Sequence, residues 1–242
     1  MKNNRMLTVV AAVVIAVAFL ACDKDNGNGN GNGNGKNPSG SQITMRGNYI
    51  GGFEMKGTGT VTIDWGNTKT ETHTLSSTGM VYSHSYLNYE MTYNVKITGN
   101  ITYLVCDAYL INIDVSNNTA LTHLEVGGNL TSLDVSKNIA LTYLDCSHNR
   151  LTNLDVSKNT KLKELYCEWN RLTTLDVSKN TALTHLDCNN NNLALNSLFG
   201  TLHSNNISGG KVIGIEGNLD YWDCDRSIAE NKGWTVYDVL RK

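Results

Sequence analysis

The sequence predicts a mainly β protein built as a repeat solenoid, with a small β-sandwich-like module before the repeats and an α/β cap after them. Three observations carry this reading. A motif recurs every 21 residues through the centre of the 242-residue chain, and so short a unit can bury a core only by stacking on its copies. Segments ahead of it alternate polar and apolar residues, the period of half-buried strands. Charged residues make up only 17% and aromatics 7%, while glycine and asparagine abound, which suits many tight turns better than one large globular core. The same composition excludes a collagen, a disordered tail and a polytopic membrane protein. Twenty basic residues nearly balance 22 acidic ones, which argues against nucleic acid as a partner.

The chain opens with Lys2 and Arg5 ahead of an apolar run, Leu7 to Ala21. That run falls short of the ~20 residues a membrane-spanning helix needs, so residues 1–21 read as a signal peptide. Phe19-Leu20-Ala21-Cys22 resembles the lipobox of bacterial lipoproteins, with Phe19 where that family prefers Leu. The resemblance implies that Cys22 is the lipid-modified (diacylglyceryl and acyl) mature N-terminus; plain secretion is the rival reading. Processing removes Lys2 and Arg5, leaving 18 basic and 22 acidic residues and a charge of −4. The acyl chains, not surface charge, would then hold the protein on an anionic leaflet. Asp23-Lys24-Asp25 is similar to the export signal that sends some Gram-negative lipoproteins to the outer face, and reads equally well as the start of a solvated linker. Residues 22–41, with alternating Gly and Asn from Gly27 to Gly35, form a flexible tether with an r.m.s. span of roughly 25 Å. The expected location is the cell envelope, as a surface-exposed outer-membrane lipoprotein.

Residues 42–100 are expected to form the β-module. Thr60 to Trp65 and Thr92 to Thr98 alternate in a composition rich in Thr, Val, Ile and Tyr, as half-buried antiparallel strands do. Asp64-Trp65-Gly66-Asn67, His84-Ser85-Tyr86 and Tyr93 to Ile97 resemble the polycystic-kidney-disease-type immunoglobulin-like sandwich. That family usually continues Trp-Gly with Asp-Gly, where this chain has Asn67-Thr68. The resemblance implies a structural role for His84, a ligand role being the alternative, and Trp65 reads as core. Because the strand at 92–98 runs through Gly99-Asn100 into the next segment, the module is expected to cap that segment's open end.

Residues 101–193 carry the repeat. Leu141, Leu144, Cys146, Asn149, Leu151, Leu154, Val156 and Asn159 recur 21 residues later as Leu162, Leu165, Cys167, Asn170, Leu172, Leu175, Val177 and Asn180. An upstream copy from Leu121 has Val126 in the cysteine position and lacks one residue before Leu130. A divergent copy begins at Ile101, and a truncated one at Leu183 carries Cys188 and Asn191. The pattern L-x-x-L-x-C-x-x-N-x-L is that of leucine-rich repeats and resembles the 21-residue cysteine-bearing repeats of internalin J-like bacterial surface proteins. That resemblance implies a right-handed leucine-rich-repeat solenoid. Leu, Leu and Cys at positions one, four and six point inward, so coils stacked ~4.8 Å apart make continuous apolar columns. Asn129, Asn149, Asn170 and Asn191 follow the strand where the chain turns inward, and their amides can ladder from coil to coil. In Leu154-Asp155-Val156-Ser157 the apolar pair faces the core, while Asp and Ser bond nearby backbone N–H groups. Lys137, Lys158 and Lys179 near Asp134, Asp155 and Asp176 offset repulsion within the stacked acids.

Cys106, Cys146, Cys167 and Cys188 fall in one inward column. Zinc needs thiolates converging on a point, and parallel Cβ vectors disfavour disulfides between neighbours, so these cysteines read as small buried hydrophobes. Cys224 has no obvious partner. Residues 194–242 read as the C-terminal cap: a short helix over 196–203, a strand over 211–215 with Asn218 in the repeat's asparagine role, a Ser227-to-Glu230 capping box opening a helix stopped by Gly233, and a last strand over 234–239.

Positions three, five and seven of each coil project outward from the concave strand. They gather Tyr103, His123, Glu125, Tyr143, Asp145, Glu164, Tyr166, His185 and Asp187, with Trp169, His148, Arg150 and Arg171 on the rim. These residues, Trp169 foremost, are the ligand-binding candidates, because exposed aromatics beside acids and arginines compose recognition surfaces. Solvated strand faces with aromatics favoured by β propensity are the other reading. Glu125, Asp145 and Asp187 suggest a calcium site, but Tyr166 interrupts the column, and neither metal nor cofactor is expected. H-E-x-x-H, G-x-S-x-G and a phosphate-cradling loop are all missing. A non-catalytic, monomeric binding module for a protein or glycan at the cell surface is expected, with a structural spacer as the alternative.

Overall fold

Each copy of the 21-residue motif becomes one coil, and each coil contributes one short strand to a shared sheet. The computed structural model describes residues 41–48, 50–86 and 90–237. The leader, Cys22, the tether up to Gly40 and Val239 lie outside the described residues. In chain order the strands are β1 (Gln42–Gly47), β2 (Gly52–Asp64), β3 (Thr70–Thr74), β4 (Met80–Ser83), β5 (Tyr93–Asp114), β6 (His123–Gly128), β7 (Tyr143–Asp145), β8 (Glu164–Tyr166), β9 (His185–Asp187), β10 (Lys211–Gly214) and β11 (Trp234–Tyr237). Two helices, α1 (Leu195–Thr201) and α2 (Ser227–Glu230), lie in the C-terminal segment. All eleven strands join one sheet in the order β11-β10-β9-β8-β7-β6-β5-β2-β3, with β1 on β5 and β4 on β2. The protein is mainly β, a solenoid of about six turns.

From β5 to β11 the pairing is parallel and in register: Leu104, Leu124, Leu144, Leu165, Leu186 and Ile213 succeed one another across the sheet. These and the other inward columns, Leu121 to Leu183, Leu130 to Leu193 and Val135 to Val177, are buried. The cysteine column is buried as well, and its thiols do more than fill space. The Sγ atoms of Cys146, Cys167 and Cys188 lie 3.6, 3.4 and 3.1 Å from the backbone oxygens of Tyr166, Asp187 and Gly214 on the next coil, to which they donate. Burial pushes all three thiols well above their ordinary range. Among the described residues no cysteine is joined in a disulfide.

Two asparagine ladders run up the solenoid. In the first, Asn170 Nδ2 donates to Cys146 O at 2.9 Å and Cys167 O at 3.1 Å, while its Oδ1 accepts Leu151 N at 2.9 Å. Asn149, Asn191 and Asn218 repeat this arrangement. Asn129 was expected to belong to it and does not. The residue missing from its coil moves Asn129 into the place that Arg150 holds one coil later, and Gly128, at φ 136°, stands in the ladder position. A Cβ there would lie 2.3 Å from Ala108 O, so only glycine fits. The second ladder went unread in the sequence. Asn138 Nδ2 donates to Val115 O and Asn118 O, Asn159 to Val135 O and Asn138 O, and Asn180 to Val156 O and Asn159 O, all within 2.8–3.0 Å. Between the ladders, Asp114, Asp134, Asp155 and Asp176 each accept the backbone N–H of the serine two residues on. Those bonds hold the carboxyls of Asp134, Asp155 and Asp176 below their usual range, with the neighbouring lysine adding a smaller attraction.

At the N-terminal end β5 runs unbroken past residue 100 and ties the module to the first coil. Its partner β2 pairs antiparallel with both stretches, Thr62 opposite Thr98 and Met55 opposite Leu104. β1 is clasped twice: Met45 lies opposite Val95 on one side and Ile113 on the other. Ile43, Met45, Phe53, Met55 and Trp65 are buried here. Trp65 is core, as its sequence context implies, and His84 stacks on it with centroids 5.1 Å apart and meets Asn67 Nδ2 through Nε2 at 2.8 Å. Tyr86 donates its hydroxyl to Trp65 O.

At the other end α1 buries Leu195, Leu198 and Phe199, and Leu202 is already extended, so the helix is shorter than the pattern suggested. The expected capping box fails. Arg226 is the N-cap of α2 and makes no side-chain cap bond. The Ser227 hydroxyl donates instead to Asp225 Oδ1 at 2.6 Å, and the same oxygen accepts Ser227 N. Asp225, two residues earlier, has taken the acceptor role that Ser227 was assigned. Lys211 is buried with its Nζ donating to the carbonyls of His203, Asn205 and Lys232.

Removing a ladder side chain orphans buried backbone groups on two coils. Asn170→Ala is expected to cost about 2–4 kcal/mol, whereas Arg171→Ala on the exposed rim changes stability by about 0.5 kcal/mol or less. Denaturant unfolding of the two variants checks the contrast.

Candidate recognition surface

The strand register places the outward side chains in columns. Position three aligns Tyr103, His123, Tyr143, Glu164 and His185; position five aligns Val105, Glu125, Asp145, Tyr166 and Asp187. Because coils repeat at nearly the thickness of stacked rings, aromatic neighbours at position three fall face to face. Tyr103 and His123 stack at 4.2 Å and 18°, and His123 and Tyr143 at 4.0 Å and 10°. Tyr166 continues the run at 5.5 Å and 39° from Tyr143 and donates its hydroxyl to Glu164. Lys56, on β2, sets its ammonium 4.1 Å from the Tyr103 ring, a cation–π contact. The stacked faces are occupied by their neighbours, so this column offers solvent its ring edges and hydroxyls.

Electrostatics follow from that packing. Burial, with Lys56 adding to it, lowers His123 to about 4, so His123 is neutral at pH 7 and its 4.0 Å approach to Glu125 is not an ion pair. Burial, then Glu54 and Glu125, raise the Tyr103 hydroxyl to about 12. Further along, Asp145 and Asp187 each accept the backbone N–H two residues on. Asp187 is buried rather than solvent-facing, because Tyr237 of β11 reaches back across Gly214 and donates its hydroxyl to Asp187 Oδ2. Gly214 makes this possible: a Cβ there would lie 2.7 Å from the Tyr237 ring. Glu168, at position seven, is raised to about 8 by burial first and then by the charges of Asp187 and Asp145. Glu125, Asp145 and Asp187 do not gather; among the described residues no group of three His, Cys, Asp or Glu side chains is placed to hold a metal ion.

On the rim, His148 and Trp169 stack at 5.9 Å and 11°. Both sit in the left-handed region, at φ 55° and 54°, as do Asn190 at 53° and Gly217 at 72° in the following coils. This turn brings the ladder asparagine inward; glycine meets its demand at no steric cost and asparagine tolerates it better than other side chains do. A histidine and a tryptophan there cost about 1–2 kcal/mol each, and Trp169 is left 55% exposed. The structure thus brings Tyr103, His123, Glu125, Tyr143, Asp145, Glu164 and Tyr166 together on one half-buried face, leaves His185 exposed at its edge, and sets Trp169 beside it. Sequence reading missed Lys56 and Tyr237. The alternation in Trp234-Thr-Val-Tyr237 was the available signal, had β11 been aligned with the coils.

Residues 91–126 match the LVIVD repeat family. Among solved structures, the functional domain of InlJ from Listeria monocytogenes, described as including a cysteine ladder, is 31% identical over 57% of this chain and 39% of its own, with a TM-score of 0.31. A leucine-rich-repeat protein of Leptospira interrogans is 16% identical over 51% of this chain and 38% of its own, with a TM-score of 0.34. The chain thus spans about two fifths of either relative's length. No curated protein matches it.

Glu168 gives the surface a measurable pH signature. Its folded pKa lies above the unfolded value, so its contribution is most favourable at low pH and is lost as pH rises towards about 8, where the folded carboxyl finally ionises. Glu168→Gln removes that loss. The stability gap between variant and parent is expected to open from about pH 4.5 upward and level off above about pH 8, read by urea unfolding across that range.

Proposed function

We propose that the chain is a non-catalytic cell-envelope lipoprotein that recognises a protein or glycan at the bacterial surface through its concave repeat face and adjoining rim, in adhesion or surface recognition. The observation that carries this reading is Trp169, exposed and held with His148 in a backbone conformation that the next coils give to Asn190 and Gly217. A position that costs stability to fill with a bulky ring, and leaves Trp169 more than half exposed, fits a residue kept for contact with something else. The anchor in this reading is acylated Cys22 on a Gly/Asn tether, with residues 42–100 as a polycystic-kidney-disease-like module between tether and repeats. Replacing Tyr143, Tyr166 and Trp169 together with Ala is expected to abolish capture of the ligand found by surface pull-down or glycan array; undiminished capture overturns the site. Cys22→Ser is expected to move the protein from the detergent phase to the aqueous phase on partition and to remove acyl labelling.

A second reading, a structural spacer in an envelope assembly, draws on Met80, Val81 and Met91, which are 50%, 45% and 55% exposed in the N-terminal module. In-cell crosslinking from positions 80 and 91 separates the two, since a spacer engages its neighbours there and leaves the repeat face free.

A further inference from the structure

The outward positions of the repeat sort charge by face. From β6 to β9, positions three, five and seven hold Glu125, Asp145, Glu164, Glu168 and Asp187, and the sequence puts no Lys or Arg at any of them. The basic residues of the same coils lie elsewhere: Lys137, Lys158 and Lys179 in the turns beside Asp134, Asp155 and Asp176, Arg150 and Arg171 on the rim, and Lys161 and Lys163, both exposed, in the segment that leads into β8. A chain near neutrality overall therefore carries a concave face of one sign, set among tyrosines.

A second, independent feature lies inside that face. Ser147, only 8% exposed, has a hydroxyl oxygen with no hydrogen-bond partner, and the Oε2 atom of Glu168 is buried and equally unmatched. The two residues occupy position seven of successive coils, where His148 N bonds Glu168 O. Buried oxygens without donors are costly, and both are acceptors that an incoming N–H group would satisfy.

We propose that this acidic face binds a lysine- or arginine-bearing segment of a partner protein, laid along the strands from Asp145 to Asp187, its cationic groups meeting Glu164, Glu168 and the Tyr166 ring. The proposal rests on the binding role argued above and names the partner's chemistry. The carboxylates are spread from coil to coil at strand spacing rather than converging, which suits charges distributed along a polymer better than a single metal ion. A neutral sugar is less well served, because the rings of the position-three column spend their faces on one another. The chain supplies its own example of the pairing at the other end of that column, where the Lys56 ammonium rests on Tyr103. The carboxyl of Glu168, held largely protonated at pH 7 by burial first and then by Asp187 and Asp145, would release its proton as a cation arrived.

The test uses the mature protein with fluorescent oligolysine and oligoarginine peptides and an uncharged Gly/Ser peptide, followed by anisotropy at low and physiological salt. The basic peptides are expected to bind, to weaken as salt rises, and to lose about tenfold in affinity in Glu164→Gln/Glu168→Gln, whose isosteric side chains keep the fold, as a thermal melt confirms. Asp155→Asn, on the far side, is expected to bind as the parent does. Equal binding of the uncharged peptide, an unaffected Glu164→Gln/Glu168→Gln variant, or an equal loss in Asp155→Asn overturns the proposal, as does saturable displacement of the peptide by micromolar calcium, which would mark a metal site. If the basic peptides fail while Ala at Tyr143, Tyr166 and Trp169 still abolishes capture of a surface ligand, the binding role stands and the basic partner falls. If that triple variant leaves capture intact, the role itself falls.

Discussion

A solenoid of short coils turns its backbone into its own core twice per repeat, and every N–H and C=O that enters there must find a partner away from water. The two asparagine ladders meet that constraint. Strands of three residues supply too few ladder bonds to hold coils together, so the amide of Asn170 reaches carbonyls of its own coil and the one before, and that of Asn159 reaches two carbonyls of the one before. The cysteines serve the same end on a smaller scale, each thiol meeting a carbonyl of the following coil. Leucine columns supply the apolar burial, but leucine cannot satisfy a turning backbone. The rest of the architecture, including the left-handed turn that carries Trp169, is arranged around those amides.

That division explains what was legible in the sequence. Leu, Cys and the first asparagine recur at fixed spacing because each has an inward task in every coil, and the coil boundaries, the stacked apolar columns and the buried thiols followed from that spacing. The second ladder recurs just as regularly at Asn138, Asn159 and Asn180, yet asparagine is common in turns for local reasons, so its recurrence alone does not mark a buried amide. Asn129 misled for the opposite reason. It kept its residue type while a deletion moved it out of place, and only the clash that any Cβ would make at Gly128 shows which residue holds the ladder position.

The candidate surface was legible as a set of side chains and illegible as an electrostatic object. Alternation alone put Tyr103, His123 and Tyr143 outward. That they stack, and that His123 is thereby neutral, depends on coil spacing matching ring thickness. Asp187 read as an exposed acid and is instead buried beneath Tyr237, because glycine at 214 leaves a gap that the last strand fills. Contacts between residues 50 positions apart leave no local trace in sequence.

The shortened coil at Gly128 also sets where this molecule can change length. Between Asn138 and Asn180 each coil offers its neighbours the same carbonyls, the same amides and the same columns on both faces, so a duplicated or deleted coil there would meet matching surfaces. The junction at Gly128 has no such symmetry: one side is a regular coil, the other the long strand β5 gripped by β1 and β2. The outward face of the repeats can be lengthened or trimmed in steps of one coil while the clasped N-terminal end stays the same.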